Sequence, residues 1–299
     1  NRLGDKICTQ PVSFIKEVFM QKNMKKYWPI FTIPVMAAFA IGFVIPFILG
    51  IYLSFTKFTT VKDAHFVALA NYRKLFADAT YLHSFFLTLA FAIATIIIIN
   101  IIAFFLAMAL TQKFKGTNLF RTVFFMPNLI GGIVLGYIWQ LIFSGILVHF
   151  NTALNLNARL GFWGLVILVC WQQIGYMMII YISGLQAIPT DVMEATEIDG
   201  ANGVQKLFRV TLPMMMPSIT ICTFLTLTNG FKLFDQNLAL TGGAPMKQTE
   251  LMALNIYQTF YGRVGFEGVG QAKAVIFFLI VIVMAGLQQY FTKSKEVQQ

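Results

Sequence analysis

Charge is scarce in this sequence. Only 34 of its 299 residues are Asp, Glu, Lys or Arg, 11%, where a soluble chain carries about 25%. Three cysteines (Cys8, Cys170, Cys222) are too few and too scattered for a disulfide framework or a Cys-x-x-Cys metal site. Three histidines, His65, His83 and His149, have no ligand spacing, so no metal site is expected. No G-x-x-x-x-G-K-[ST] stretch occurs, so the chain has no P-loop to cradle ATP phosphates. The Gly-rich stretch from Gly262 to Gly270 lacks both the Lys-Ser/Thr ending and a preceding strand. The net charge of +10 is not gathered on a polar domain that could bind nucleic acid.

What is abundant is apolar. Hydrophobic residues make up 58% of the chain, against about 45–50% in soluble domains, and the mean hydropathy is +0.72. Every charged residue falls outside six windows: 27–56, 84–112, 122–158, 160–190, 210–231 and 274–292. A spanning helix needs roughly 20 residues, so the windows predict an all-α membrane protein with six transmembrane helices. The third window is too long for one helix. Phe120–Phe143 is the expected span, with Ser144–Leu160 as an external connection. Pro34 and Pro46 predict bends in the first span, and Pro213 and Pro217 a kink or start at the fifth. Met214-Met215-Met216 between them reads as adaptable packing.

Residues 1–26 carry six positive charges against two negative. Phe14, Ile15, Val18 and Phe19 recur at helical spacing beside Lys16, Glu17 and Lys22, which predicts an amphipathic helix on the membrane surface. With the N-terminus inside, the inner segments hold 13 Lys/Arg and the outer ones 9, which favours both termini in the cytoplasm of a multi-pass inner-membrane protein. Tyr27, Trp28, Tyr52, Trp163, Tyr257 and Tyr261 sit near window ends, as an interfacial aromatic belt requires. The expected organisation is an interfacial segment 1–28, a transmembrane domain 29–292 with a distinct loop at 188–213, and a cytoplasmic tail 293–299. The 40 residues from Lys232 to Gln271, with Gly242-Gly243-Ala244-Pro245, must lie in water or against protein, since irregular backbone cannot face lipid.

The loop between spans four and five reads Ile188-Pro-Thr-Asp-Val-Met-Glu194-Ala-Thr-Glu-Ile-Asp199-Gly200-Ala201 and runs on to Pro217. Thr190 is the expected N-cap, and Asp191 and Glu194 lie in the first turn, where the helix dipole favours negative charge. Val192, Ala195, Thr196 and Leu207-Phe208 supply an apolar side, and Asp199-Gly200 ends the helix. A short helix with apolar and acidic sides suits docking into a partner's groove.

Glu194-Ala195-Thr196, three residues, Gly200, then nine residues to Val210-x-Leu-Pro213 resembles the EAA loop of ABC-importer permeases. Asn71–Phe76, Phe120–Pro127, Trp171–Tyr176, Gly184–Pro189, Phe231–Asp235 and Leu240–Pro245 are similar to stretches of the sugar-importer permeases. The likeness is to the maltose-type and glycerol-phosphate-type permease that is the first of a heterodimeric pair. Two departures are Thr196 in place of the usual second Ala, and Ala244 inserted in the Gly-Gly-Pro run. The resemblance implies the type I importer permease fold, a second homologous permease, two cytoplasmic ATPase subunits and an extracytoplasmic solute-binding protein. It implies that Glu194, Ala195, Thr196, Asp199 and Gly200 seat the loop in a cleft of the ATPase. The chain would then bind no cofactor itself, ATP and Mg being used by the partner ATPase, and would not be an enzyme.

No Asp, Glu, Lys or Arg falls inside a window, which disfavours coupling to an ion gradient. In-span polar groups are Asn128, Tyr137, Gln140, Gln172, Gln173, Tyr176 and Asn229, suited to a neutral, hydroxyl-rich solute. Asn128 and Gly132, Gln172 and Gln173, and Asn229 with Lys232 match lining positions of the family's solute path. Interhelical bonding is the competing role for the amides. Because Gln172 and Gln173 are consecutive, they cannot both face one seam. The alternative solute is a charged one, such as glycerol phosphate or an acidic oligosaccharide, with Lys232 and Arg159 as the cations. An intramembrane enzyme would have only Cys170, Cys222 and His149 as reactive groups, none with a partner at helical spacing. A binding-only scaffold is the remaining class.

Overall fold

The computed structural model describes residues 28–112 and 115–293, so the expected surface helix at the N-terminus lies outside the described residues. The chain divides into a unit ending at Leu53 and a second beginning at Ser54. The described residues of the first unit form one helix, α1, Trp28–Ser54, whose last residue belongs to the second unit. Large apolar side chains run all round it, as in a membrane span, and most are exposed, among them Phe31 at 75% and Ile41 at 68%, while Leu53 at its end is buried. A π-turn at Ala40–Val44 falls just before Pro46. Pro46 has no N–H for the carbonyl one turn back, and the wider turn absorbs that loss.

The second unit begins with a two-stranded antiparallel ribbon, β1 (Thr56–Lys57) and β2 (His65–Phe66), followed by α2 (Ala70–Phe76). The long helices are α3 (Ala79–Thr111), α5 (Gly132–Leu147), α6 (Ala158–Gln186) and, last in the chain, α12 (Glu267–Lys293). Shorter elements lie between them: α4 (Thr117–Phe125), α7 (Thr190–Ile198), α8 (Gly203–Met214), α9 (Met216–Phe231), α10 (Asp235–Leu240) and α11 (Met252–Gly262). Among the described residues five helices are long and apolar enough to cross a membrane, or six if the bent pair α8 and α9 is counted as one span.

The core is the seam between α3 and α6. Phe91, Ile99, Ala103 and Ala107 pack with Leu165, Leu168, Val169, Met177 and Tyr181, all buried. A polar knot ties this seam to α9: Asn100 Nδ2 donates to Thr226 Oγ1 (3.1 Å), and Tyr181 Oη donates to Asn100 Oδ1 (2.7 Å). Amide and hydroxyl pairs of this kind hold helices where lipid offers no hydrophobic drive.

The expected span Phe120–Phe143 is not one helix. It is broken by a 3₁₀ turn at Met126–Leu129 and an extended Gly131 between α4 and α5. Pro127 lacks a donor, and hydropathy does not register that interruption. The helix also runs beyond Phe143 to Leu147, with a 3₁₀ turn to Phe150. The break is held against α6. An added Cβ on Gly175 would overlap the Phe124 carbonyl, so only glycine permits this approach. Gln172 Nε2 donates to the freed Ile130 carbonyl at 3.1 Å.

The segment after α9 is half helical rather than irregular, and it is packed on protein. Asn237, fully buried, donates to the Thr249 carbonyl (2.8 Å) and accepts from Leu251 N (3.0 Å), closing the Gly-Gly-Ala-Pro loop. The Gly262–Gly270 stretch joins α11 to α12 and forms the first turn of α12, where an added Cβ on Gly268 would overlap the Thr56 carbonyl and lie 2.7 Å from Asn71 Nδ2. Cys170 and Cys222 are buried and free.

Candidate functional site: a polar cleft and an exposed helix

Two features stand at opposite ends of α9. At its C-terminal end Gln173, Asn229, Lys232, Leu233, Phe234, Asp235 and Gln236 line a cleft of about 270 Å³. Gln173 Oε1 accepts from Asn229 Nδ2 at 3.4 Å. Gln172, one residue earlier, points into the helix seam: its Oε1 accepts from Gln236 Nε2 at 2.7 Å while its Nε2 serves Ile130. The two glutamines therefore divide, one lining the cleft and the other fixing its floor.

The other residues matched to the solute path are placed as follows. Gly132 opens α5 against α10, where an added Cβ would lie 2.8 Å from Asp235 Cβ and 3.0 Å from the Gln236 amide. Its role is to let α10 close in. Asn128 is half-buried in the 3₁₀ turn, and Tyr176 packs against Phe125 (ring centroids 6.5 Å apart); neither lines the cleft. Lys232 is the exposed C-cap of α9. Sequence reasoning missed Asp235 and Gln236. Asp235 closes the similar stretch Phe231–Asp235, which was the available signal; nothing marked Gln236. The polar lining is thus three neutral amides with one cation and one anion, beside Leu233 and Phe234. Arg159 is not part of it.

At the other end α9 is bent by 70° from α8 at Met215, between Pro213 and Pro217. α8 reaches back to the α7 unit. α7 begins one residue earlier than its sequence suggests: Pro189 occupies the N-cap with no side-chain bond, and Thr190 is already helical. Its C-terminus is closed by Gly200 at φ +72°, with Gly200 N donating to Glu197 O (3.1 Å) and Ala201 N to Thr196 O (3.2 Å). These two bonds make a Schellman motif, which requires the left-handed residue. Asn202 and Gln205 then form a reciprocal capping box that starts α8. Lys206 Nζ bonds Glu197 Oε1 at 2.7 Å, bracing the two helices, and that bond holds the Glu197 carboxyl below its ordinary range. The rigid turn leaves Glu194, Ala195, Asp199 and Gly200 exposed. Beside them Ile198 (86%), Val204 and Phe208 are exposed apolar side chains, while Thr196 is buried and bonds the Val192 carbonyl.

A third polar group was not legible. Lys273, just outside the last uncharged window, is fully buried inside α12. Its ammonium bonds Asp78 Oδ2 (2.7 Å), Asn255 Oδ1 (2.8 Å) and Thr259 Oγ1 (2.9 Å). Burial pushes the Asp78 carboxyl up, but Lys273 and the Thr80 hydroxyl outweigh it and hold the pKa at about 2.

A bundle of apolar spans with interrupted helices, a polar cleft at one end and a braced, exposed helix at the other is that of a type I importer permease. Residues 99–297 match the family described as the binding-protein-dependent transport system inner membrane component, and the chain belongs to it. It is 45% identical over 285 residues to the probable starch degradation products transport system permease protein AmyD of Thermoanaerobacterium thermosulfurigenes, covering 93% of this chain and 97% of that one. It is 30% identical over 289 residues to the multiple sugar-binding transport system permease protein MsmF of Streptococcus mutans, covering 93% and 99%. A bacterial ABC transporter involved in import of the acidic polysaccharide alginate contains a chain of the same fold. The TM-score is 0.77 at 16% identity, covering 92% of this chain and 98% of that one.

Proposed function

We propose that the chain carries a neutral sugar or oligosaccharide across the cytoplasmic membrane, as one of two permeases driven by a pair of ATPase subunits and fed by a solute-binding protein. The observation that carries this is α9 itself. One helix of 16 residues, about 24 Å long, has the polar cleft at one end and, past the bend at Met215, the braced α7–α8 unit at the other. Glu194, Ala195, Asp199 and Gly200 form the docking surface for the ATPase, with Ile198 and Phe208 as apolar anchors, while the buried Thr196 supports α7 from beneath. ATP-driven closure of the ATPase pair shifts α7 and α8 as a rigid unit and tilts α9 between inward-open and outward-open states.

The cleft supports this solute class. Gln173, Asn229 and Gln236 offer donors and acceptors to hydroxyl groups, and Lys232 and Asp235 offset each other in charge. The names of the relatives, which refer to starch degradation products and multiple sugars, support the same class. Both termini are assigned to the cytoplasm, which puts the cleft toward the outer side and α7 inside. The test is uptake into proteoliposomes holding both permeases, the ATPase and the binding protein, with labelled neutral and acidic oligosaccharides. Neutral sugars are expected to enter with ATP, and Gln173→Ala with Asn229→Ala to slow entry without loss of assembly. Preferential uptake of the acidic series would transfer the assignment to a charged solute.

A further inference from the structure

We propose that a second cleft, distinct from the polar one, binds an anionic phospholipid of the leaflet opposite α7. The cleft encloses about 610 Å³ between the N-terminal turns of α3 and α6 and the loop before α11, and shares no residue with the polar cleft. α6 is 29 residues long, about 43 Å, so its Ala158 end and the α7 end are separated by the whole bundle.

Its lining has two layers. His83 and Arg159 stand near the starts of α3 and α6 and Lys247 in the loop before α11, and among the described residues no carboxylate lines the cleft. Both helix N-termini add positive ends of their dipoles. His83 Nε2–H donates to the Gln248 carbonyl at 3.1 Å, and Lys247 lies 3.6 Å from Glu250, so these two are held in place while Arg159 is exposed. Further along the same helices the walls are apolar: Leu87 and Ala90 on α3, and Phe162 and Trp163 on α6. Trp163 is half exposed, as an aromatic at the membrane boundary is.

A cationic rim above an apolar channel fits an amphiphile with a negative head. A free sugar would leave the apolar walls uncovered, and inorganic phosphate would use only the rim. The cleft opens where α3 and α6 enter the membrane, which puts the headgroup beside the cations and an acyl chain along Leu87 and Ala90. The occupant is therefore a lipid such as phosphatidylglycerol. This goes beyond solute transport and does not depend on which sugar is carried.

The experiment is native mass spectrometry of the full chain released from nanodiscs containing equal phosphatidylglycerol and phosphatidylcholine with the same acyl chains. Wild type is expected to retain phosphatidylglycerol preferentially. A basic residue at an anionic surface contributes roughly fivefold in affinity, so Arg159→Gln with Lys247→Gln should reduce the preference by about 5- to 30-fold, the lower end if Glu250 keeps Lys247 occupied. Arg159→Lys should retain it. Leu87→Trp, which fills the apolar channel and keeps every charge, should reduce retention of both lipids. Equal retention of the two lipids by wild type, or a preference unchanged in the double variant, would overturn the proposal. So would displacement of the lipid by inorganic phosphate at the affinity phosphate shows alone, which would make this a free-anion site.

Discussion

The seam between α5 and α10 positions the floor of the polar cleft, and it can be perturbed at one atom. An added Cβ on Gly136 would lie 2.5 Å from Ala239 Cβ, whereas ordinary contacts of this kind begin near 3.4 Å. Gly136→Ala must therefore push α10 away by about 1 Å, an overpacking that costs roughly 1–3 kcal/mol. The same shift would stretch the 2.7 Å bond from Gln236 to Gln172 beyond hydrogen-bonding range. Restoring the space from the other side should undo both effects. In Gly136→Ala with Ala239→Gly the clash is removed, and the helix-propensity change of about 1 kcal/mol at one site offsets that at the other. Chemical unfolding of the purified protein in detergent should show the single variant destabilised by about 1–3 kcal/mol and the pair within about 0.5 kcal/mol of wild type. A single variant as stable as wild type, or a pair as unstable as the single, would refute the claim that glycine at 136 sets this approach.

Lys273→Met leaves Asp78, Asn255 and Thr259 without their shared donor, and removing one member of such a pair should cost about 3–5 kcal/mol in the same unfolding assay. Because Asp78 titrates at about 2 when folded, against an ordinary 3.8, its contribution is present above about pH 4 and is lost as pH falls toward 2. Asp78→Asn should accordingly flatten the stability profile across that interval, followed by circular dichroism. Gly200→Ala meets no steric obstacle, so only the left-handed backbone opposes it, at about 1–2 kcal/mol; Gly200→Asn should cost less, measured by thermal unfolding. Asn100→Ala removes the acceptor of Tyr181 and the donor to Thr226, with an expected loss of about 1–2 kcal/mol.

Much of this arrangement was legible because lipid imposes strong rules on sequence. Uncharged windows located the spans, since a buried charge is costly there, and Asp199-Gly200 marked the end of α7 because only a left-handed residue closes it that way. The break at Met126–Gly131 was not legible. Its residues are as apolar as a helix, and what interrupts them is a missing donor at Pro127 and a glycine on another helix, Gly175, that lets the bend approach. Lys273 escaped for a related reason. It lies one residue outside the last window, and what permits its burial is Asp78, 195 residues earlier in the chain. Likewise Gln172 and Gln173 stood out as polar groups in a span, but their division between seam and cleft is decided by Gln236 and Asn229, on elements folded against them later in the chain.

The claim that α7 transmits ATPase motion to the solute path is tested most directly by one comparison. Complexes of both permeases with the ATPase and binding protein would be reconstituted with wild-type chain, Glu194→Lys or Gly200→Pro, and ATP-driven sugar uptake measured alongside recovery of the assembled membrane pair. The expected result is intact pairing of the two permeases with uptake abolished in both variants. Uptake at the wild-type rate in Glu194→Lys and Gly200→Pro would contradict it, and α7 would then be only a cap on the helical bundle.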